Sequence, residues 1–172
     1  MVNPLIQKAW EVLETLTDPE IPVVTLRDMG IVRDVLLHDD GLEVIITPTY
    51  SGCPAMEQIE DDVRTSLAQL GGPVRVTTQL SPAWTTDWMN DAAREKLRAY
   101  GIAPPHRCAT VSDNVVQLAP RAASRLTAHD RPACPQCGSL QTTEVSHFGS
   151  TACKALYKCL NCLEPFDYFK PY

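Results

Sequence analysis

Four cysteines late in the chain have the types and spacing that hold a metal ion. Cys134 pairs with Cys137 and Cys159 pairs with Cys162, each as Cys-x-x-Cys, and the first pair has the form Cys-Pro-x-Cys-Gly. Two such knuckles can present four thiolates to one tetrahedral ion, which suits both zinc and iron. One Cys-x-x-Cys would suit a redox dithiol equally well. The two pairs together predict a small module stabilised by metal.

The expected metal is structural Zn²⁺, because four protein ligands leave no open coordination position for chemistry. Iron at the same four sulfurs, as a single ion or as an Fe–S cluster, is the alternative. Cys153 lies six residues before Cys159 and is expected to be a bystander on a strand, with a role as a substitute metal ligand as the alternative. The role of Cys108 stays open.

Cys53 is the thiol best placed for reactivity outside the two pairs. It directly precedes Pro54 and a stretch with helical spacing, so we expect Cys53 at an N-cap and Pro54 at the first helical position. The start of a helix favours a thiolate over a thiol, and a thiolate could bind metal or sulfur transiently. The alternative is a small buried residue that only begins the helix.

Two carboxylates, Asp18 and Glu20, flank Pro19 in a predicted loop. Paired carboxylates can ligate a hard ion, although Asp-Pro after a helix is also an ordinary turn. Trp84 and Trp88 are expected to pack at the rim of the fold, with a partner-docking patch as the alternative. The sequence shows no Ser-His-Asp arrangement, phosphate loop or dinucleotide fingerprint.

The elements that position these residues follow the order α-β-β-α-β. Helical spacing begins at Asn3-Pro4, a hairpin turns at residues 38–41, and a second helix ends at Gly71-Gly72 before an alternating strand. This order predicts an α+β fold, a small sandwich with helices on one face of the sheet. A short charged helix is expected near residues 90–100.

Three segments are predicted along the chain. Residues 1–103 form the α+β domain, and residues 104–133, which are rich in proline and small residues, form a linker. Residues 134–172 form a zinc-ribbon-like β module with four cysteine ligands. A module of this size cannot bury enough apolar surface alone, so the metal should supply much of its folding free energy.

Charge and composition restrict the classes of function. Residues 1–103 carry eight Lys/Arg and sixteen Asp/Glu, a net charge of −8, whereas residues 104–133 carry +2 and residues 134–172 are neutral. Ribbons that bind nucleic acid do so with an excess of Lys and Arg, so nucleic-acid binding is only a minor alternative. With no long apolar stretch and no clean apolar signal core at the amino terminus, the chain is expected to be cytoplasmic and not membrane-bound. In that reducing compartment, seven cysteines favour metal ligation or a reactive thiol over disulfides.

Two stretches of the chain resemble known families. DPEIPVVTLRDMGIVRD, TPTYSGCPAMEQIEDDV and VRVTTQLSPAW are similar to the small domain of the SufT-like family, which assembles metal–sulfur clusters. FGSTACKALYKC and LEPFDYFKP resemble the PaaD-type subunits of the phenylacetyl-CoA ring epoxidase system. The resemblance runs from about residue 5 to the last residue.

The resemblance implies a non-catalytic maturation factor for iron–sulfur clusters or a diiron site. It places the functional cysteine at Cys53 and the supporting acidic loop at Asp18 and Glu20, and it allows transient iron or Fe–S binding at Cys53. The implied partners are the diiron oxygenase or the reductase that carries a flavin and a [2Fe–2S] cluster. A redox-active, iron-binding subunit of the oxygenase is the alternative, and a homodimer is left open.

Overall fold

In the computed structural model, which describes residues 3–106 and 131–172, the chain divides into two units. The first contains the residues up to Tyr100 together with Tyr172, and the second runs from Gly101 to Pro171. The division falls three residues before the predicted end of the α+β domain at residue 103. Most of the predicted linker, including Cys108, lies outside the described residues, so its boundaries stay a prediction.

The first unit has the predicted α-β-β-α-β order followed by a third helix, and the predicted α+β class is confirmed. Its elements are α1 (Pro4–Leu13), β1 (Val32–His38), β2 (Gly41–Ile46), α2 (Met56–Ala68), β3 (Val74–Thr78) and α3 (Asp91–Tyr100). The sheet has the order β1-β2-β3. β1 pairs with β2 in antiparallel fashion, and β2 pairs with β3 in parallel through the α2 crossover.

Local sequence explains where these elements begin and which faces they bury. The side chain of Asn3 accepts a hydrogen bond from the backbone N–H of Leu5 at 2.8 Å, which satisfies one of the unpaired donors at the start of α1. Both α1 and α2 bury an apolar stripe, and α1 contacts α2 and β1 while α2 contacts β3. The buried stripe residues are Ala9, Leu13, Ile59, Val63 and Leu67.

The loop between α1 and β1 is ordered by its own backbone hydrogen bonds. The N–H of Leu26 donates to the carbonyl of Leu16 at 2.9 Å, and the N–H of Asp18 donates to the carbonyl of Val24 at 3.0 Å. Ile21, Val24 and Leu26 are also buried. The loop is therefore part of the core of the first unit, and this holds the acidic residues of the loop in fixed positions.

The second unit is a four-stranded sheet of short strands. Its strands are β4 (Ile102–Ala103), β5 (Thr142–Ser146), β6 (Lys154–Cys159) and β7 (Pro165–Phe169), in the order β4-β7-β6-β5. β4 runs parallel to β7, and the other pairs are antiparallel. Tyr157 packs edge-on against Tyr168 at 5.4 Å between ring centroids, beside buried Cys134 and Cys159.

The described helices are all too short or too polar to cross a membrane.

Candidate metal centre and the Cys53 loop

The structure brings the sulfur atoms of Cys134, Cys137, Cys159 and Cys162 together within 4.8 Å of one another. The Sγ atoms of Cys134 and Cys162 are 3.7 Å apart, and those of Cys137 and Cys159 are 3.6 Å apart. These separations are much longer than a disulfide bond of ~2.05 Å. They match the ~3.8 Å edge of a tetrahedron with metal–sulfur bonds of ~2.3 Å. The donor set and spacing therefore fit one four-coordinate ion.

Each knuckle is shaped by backbone hydrogen bonds around its first cysteine. In the second knuckle the N–H groups of Asn161 and Cys162 point to the Sγ of Cys159, at 3.4 and 3.5 Å. In the first knuckle the N–H of Gly138 donates to the carbonyl of Cys134 at 2.8 Å. The first cysteine of each pair is buried and the second is exposed. The ion would therefore lie at the edge of the small aromatic core.

The electrostatics of the cluster also favour a bound cation. The backbone N–H groups of Cys162 and Asn161 lower the pKa of the Cys159 thiol to about 6, so this sulfur is readily a thiolate. A backbone hydrogen bond with Glu164 lowers the pKa of Cys162, but desolvation and the three neighbouring sulfurs outweigh it and raise that pKa to about 12. Four thiolates this close need positive charge between them, and a divalent ion supplies it.

Cys153 lies outside the four-sulfur cluster, and the prediction that it is on a strand is wrong, because it lies in the turn just before β6. It is buried, and its Sγ is 3.0 Å from the hydroxyl of Thr151. His147 is 3.5 Å from the carboxylate of Glu144 and stacks edge-on with Phe148. Neither residue belongs to the group of metal-ligating side chains found in the described part of the chain.

Cys53 lies in a turn before α2, and the prediction that it is the N-cap is wrong. The helix begins at Met56 with Ala55 at the N-cap, and Pro54 belongs to the preceding turn. The carbonyl of Cys53 accepts a long hydrogen bond of 3.4 Å from the N–H of Met56, which closes this turn. The helix start thus lies three residues after the thiol, and it acts on the thiol less directly than expected.

The thiol of Cys53 is half-buried, and among the described residues it is in no disulfide. The N–H of Cys53 donates to the carbonyl of Tyr50 at 3.2 Å, which ties the thiol to the segment just before it. Partial exposure in a short, hydrogen-bonded turn allows an incoming group to reach the sulfur. Reactivity at Cys53 remains a proposal that rests on this accessibility.

Asp18 and Glu20 have different surroundings. Asp18 is 7% exposed, and its Oδ1 accepts hydrogen bonds from the backbone N–H groups of Glu20 at 2.7 Å and Ile21 at 3.1 Å. Its carboxylate therefore caps the turn that follows it. Glu20 is exposed. Of the two carboxylates, Glu20 is the one that solvent and partners reach readily.

Sequence reasoning missed the role of Asp28, which joins the ordered loop to the start of α3. Its carboxylate accepts hydrogen bonds from the side chains of Lys96 and Asn90, and from the backbone N–H of Thr25. Burial raises its pKa, but these hydrogen bonds outweigh burial and lower the pKa to about 2. Lys96 and Asn90 lie more than sixty residues after Asp28 in the sequence, so no local sequence pattern identifies them as its partners.

The two tryptophans pack as expected. Trp84 is 3% exposed, and its indole N–H donates to the carbonyl of Met29 at 2.9 Å. The guanidinium carbon of Arg33 lies 3.5 Å from the ring centroid of Trp88, a cation–π contact. Both tryptophans therefore stabilise the first unit, and Trp84 also lines a cavity beside the Cys53 loop.

Comparisons with known proteins divide the chain in a similar way. Residues 6–78 match the family described as iron-sulfur cluster assembly protein, and residues 119–170 match the PaaD zinc beta ribbon domain. A protein of Escherichia coli strain K12, whose name describes it provisionally as a component of 1,2-phenylacetyl-CoA epoxidase, is 48% identical. The alignment spans 172 residues and covers 97% of this chain and 93% of that protein.

Two further relatives match the first unit. The Fe-S protein maturation auxiliary factor YitW of Bacillus subtilis is 34% identical over 92 residues, which cover 53% of this chain and 87% of YitW. A crystal structure of a domain of unknown function, DUF59, from Bacillus anthracis covers 54% of this chain and 91% of its own length. It has a TM-score of 0.50 at 28% identity. The first part of the chain is therefore similar to iron-sulfur cluster assembly proteins, and the last part is similar to a zinc ribbon.

Proposed function

The chain belongs to the PaaD family, and we propose that it is an accessory maturation factor for a multicomponent phenylacetyl-CoA epoxidase. This proposal rests mainly on two relatives. One is named as an epoxidase component and matches 97% of this chain, and the other is named as an Fe-S maturation factor and matches only the first unit of this chain. A chain that combines both features fits a factor that assembles an iron–sulfur cluster or a diiron site for that enzyme. Its clients would be the diiron oxygenase or the reductase with a flavin and a [2Fe–2S] cluster.

In this proposal Cys53 is the residue that handles the cargo. Its half-buried thiol is within reach of solvent, and as a thiolate it would bind iron, or the iron of a cluster, as one soft ligand. A single protein ligand holds the metal weakly enough to give it up to a client that offers several. Exposed Glu20 would support this step from the acidic loop, whereas Asp18 would keep the loop in shape. The chain itself would turn over no substrate.

The four-cysteine cluster is proposed to hold Zn²⁺ as a structural ion. All four positions of the tetrahedron are filled by Cys134, Cys137, Cys159 and Cys162, so the bound ion would have no open position. Zinc would join the two knuckles and thereby stabilise the short strands between them. The ribbon would then present a fixed surface to the epoxidase.

The test of the Cys53 role is epoxidase maturation in cells. We expect Cys53→Ala and Cys53→Ser to lower the iron and [2Fe–2S] content of co-expressed epoxidase components several-fold, because serine keeps the shape but not the soft ligand. Thr65→Ala, an exposed change on α2, is the matched control and should leave that content unchanged. Unchanged iron content in both Cys53 variants would refute the role.

A redox-active subunit is the second candidate, because the same four sulfurs also fit iron. Metal analysis and visible absorption of the protein purified without oxygen separate the two. We expect one zinc per chain and no visible band. Stoichiometric iron with a charge-transfer band would favour the redox candidate.

A further inference from the structure

A cavity of about 360 Å³ in the first unit lies beside the loop that carries Cys53. Its walls are mostly apolar and come from three stretches: the segment before Cys53, the segment after β3, and Tyr172. The lining residues are Thr47, Pro48, Thr49, Tyr50, Ser51, Leu80, Ala83, Trp84 and Tyr172. A volume of this size is enough for one bulky side chain or a small molecule.

Three aromatic rings give the cavity a fixed shape. Tyr172 stacks on Tyr50 with ring centroids 6.5 Å apart and meets the edge of Trp84 at 6.4 Å. Trp84 is held by its hydrogen bond to Met29, and the main-chain oxygen of Tyr172 accepts from the N–H of Thr86 at 3.2 Å. Preorganised aromatic walls favour another aromatic group, which can stack or pack edge-on without reordering them.

The opening of the cavity is apolar, and the unit that contains it is acidic. Leu80 is 61% exposed although it lines the cavity, so an occupant would cover it. The cavity lies in the first unit, and residues 1–103 carry sixteen Asp/Glu and eight Lys/Arg, a net charge of −8. Glu57 and Asp87, close in sequence to the two lining segments, are exposed. A partner that carries positive charge around an apolar anchor complements this surface.

We propose that the cavity is a docking site for an aromatic side chain of the client protein, presented by a segment with Lys or Arg beside it. This inference rests on the proposed maturation role. Tyr50 lines the cavity and its carbonyl accepts the hydrogen bond from the N–H of Cys53, so the thiol turn adjoins the cavity wall and an anchored client segment would be held close to that turn. Anchoring would raise the effective concentration of the client's metal ligands at Cys53.

The test uses short synthetic peptides and the full chain. The probe is the blocked peptide Lys-Lys-Gly-Phe-Gly-Lys-Lys, with one version that replaces Phe by Ala and another that replaces every Lys by Glu. Binding is followed by the shift of the Trp84 indole N–H signal in NMR titrations. We expect the Phe peptide to bind at least tenfold more tightly than the Ala peptide, and the Glu peptide not to bind.

Two variants locate the binding to the cavity. Leu80→Ser and Tyr172→Ala should each weaken binding of the Phe peptide about five- to tenfold. Leu37→Ser is the matched control, because Leu37 is a similarly exposed leucine, 41% exposed, on β1 and outside the cavity lining. Since the side chain of Leu80 is largely exposed, Leu80→Ser should fold normally even if Tyr172→Ala lowers stability.

Several outcomes would overturn the proposal. Equal binding of the Phe and Ala peptides would mean that charge alone attracts them, and unchanged binding by Leu80→Ser would place the contact elsewhere. Benzyl alcohol that binds as tightly as the Phe peptide would assign the cavity to a free small aromatic molecule instead. Cys53→Ala should bind the Phe peptide as the unmodified chain does, so docking and cargo transfer can fail separately.

Discussion

Gly138 and Leu163 occupy the same position in the two cysteine knuckles, and both have left-handed backbone conformations. Each directly follows the second cysteine of its pair, with φ of 72° at Gly138 and 67° at Leu163. Among the described residues, Leu163 is the one non-glycine residue with positive φ. The turn geometry is therefore set by the knuckle itself, and the second knuckle adopts it with a residue that disfavours it.

Exchanging the residue types at these positions should change the stability of the ribbon in opposite directions. We expect Leu163→Gly to stabilise the metal-loaded ribbon by about 0.5–1 kcal/mol, because relief of left-handed strain exceeds the added flexibility of glycine in the unfolded chain. Gly138→Ala should destabilise it by a similar amount. In the described part of the chain a Cβ at Gly138 would meet no heavy atom within 4 Å, so the change isolates backbone strain.

The measurement is the denaturant midpoint of the zinc-loaded chain, followed by the tyrosine signals of the ribbon core. Leu160→Gly is the control, since Leu160 is an exposed leucine of the same knuckle without positive φ, and this change should only destabilise. A lower stability of Leu163→Gly would mean that contacts of the leucine side chain outweigh the backbone strain.

The fold of the first unit could be predicted because its signals are local. Asn3-Pro4 caps α1, and helical spacing alone identifies α2. Gly41 has φ of 144°, and a Cβ there would meet the carbonyl oxygen of Pro73 at 2.2 Å, so the glycine expected in the hairpin turn is required. The four cysteines were likewise visible from spacing, because each knuckle is a short local motif.

The remaining features depend on contacts between residues far apart in sequence. β4 is two residues long and forms only by pairing with β7, more than sixty residues later. The place of Tyr172 in the wall of the cavity and the partners of Asp28 are long-range in the same way. The N-cap prediction at Cys53 failed because the Pro54 ring suits a turn as well as a first helical residue, and here α2 starts at Met56.

Removal of the proposed zinc ion should unfold the second unit and leave the first unit folded. The ribbon core is small, and the bound ion would supply much of its folding free energy, whereas α1, α2 and α3 belong to a unit with its own apolar core. Hydrogen exchange before and after a zinc chelator is the measurement. We expect amides of β5, β6 and β7 to lose protection and those of α2 to keep it. Protected β6 amides after complete zinc loss would contradict the structural role of the ion.

Asp28 should make the free energy of unfolding of the first unit depend on pH in the acidic range. Its pKa is lowered from 3.8 to about 2 in the folded protein, so its contribution is fully present above about pH 4 and is lost as the pH falls towards 2. We expect Asp28→Ala to lower the free energy of unfolding by about 2 kcal/mol at pH 7 and by much less near pH 2.

Denaturant unfolding of both proteins at several pH values gives this difference directly. Asp34→Ala is a suitable control, because Asp34 is an exposed carboxylate of the same unit. An Asp28→Ala effect that is the same at pH 2.5 and pH 7 would show that the lost packing, and not the ionised carboxylate, accounts for the change.

Substitutions of Asp18 should lower the stability of the protein, whereas substitution of Glu20 should not. Asp18→Ala removes an acceptor that is 7% exposed and bonded to the N–H groups of Glu20 and Ile21, so we expect a loss of about 2 kcal/mol in unfolding free energy. Asp18→Asn keeps an acceptor oxygen and should lose less. Glu20→Gln should change stability by less than about 0.5 kcal/mol.

Epoxidase iron content in cells then assigns the function of each carboxylate. If Asp18 only caps the loop, Asp18→Asn supports maturation in proportion to the amount of folded protein. Glu20→Gln, which should leave the fold intact, should lower client iron because it removes the exposed carboxylate that is proposed to support cargo transfer. Full maturation with Glu20→Gln and none with a well-folded Asp18→Asn would reverse the assignment and make the buried carboxylate of Asp18 the one that acts on the metal.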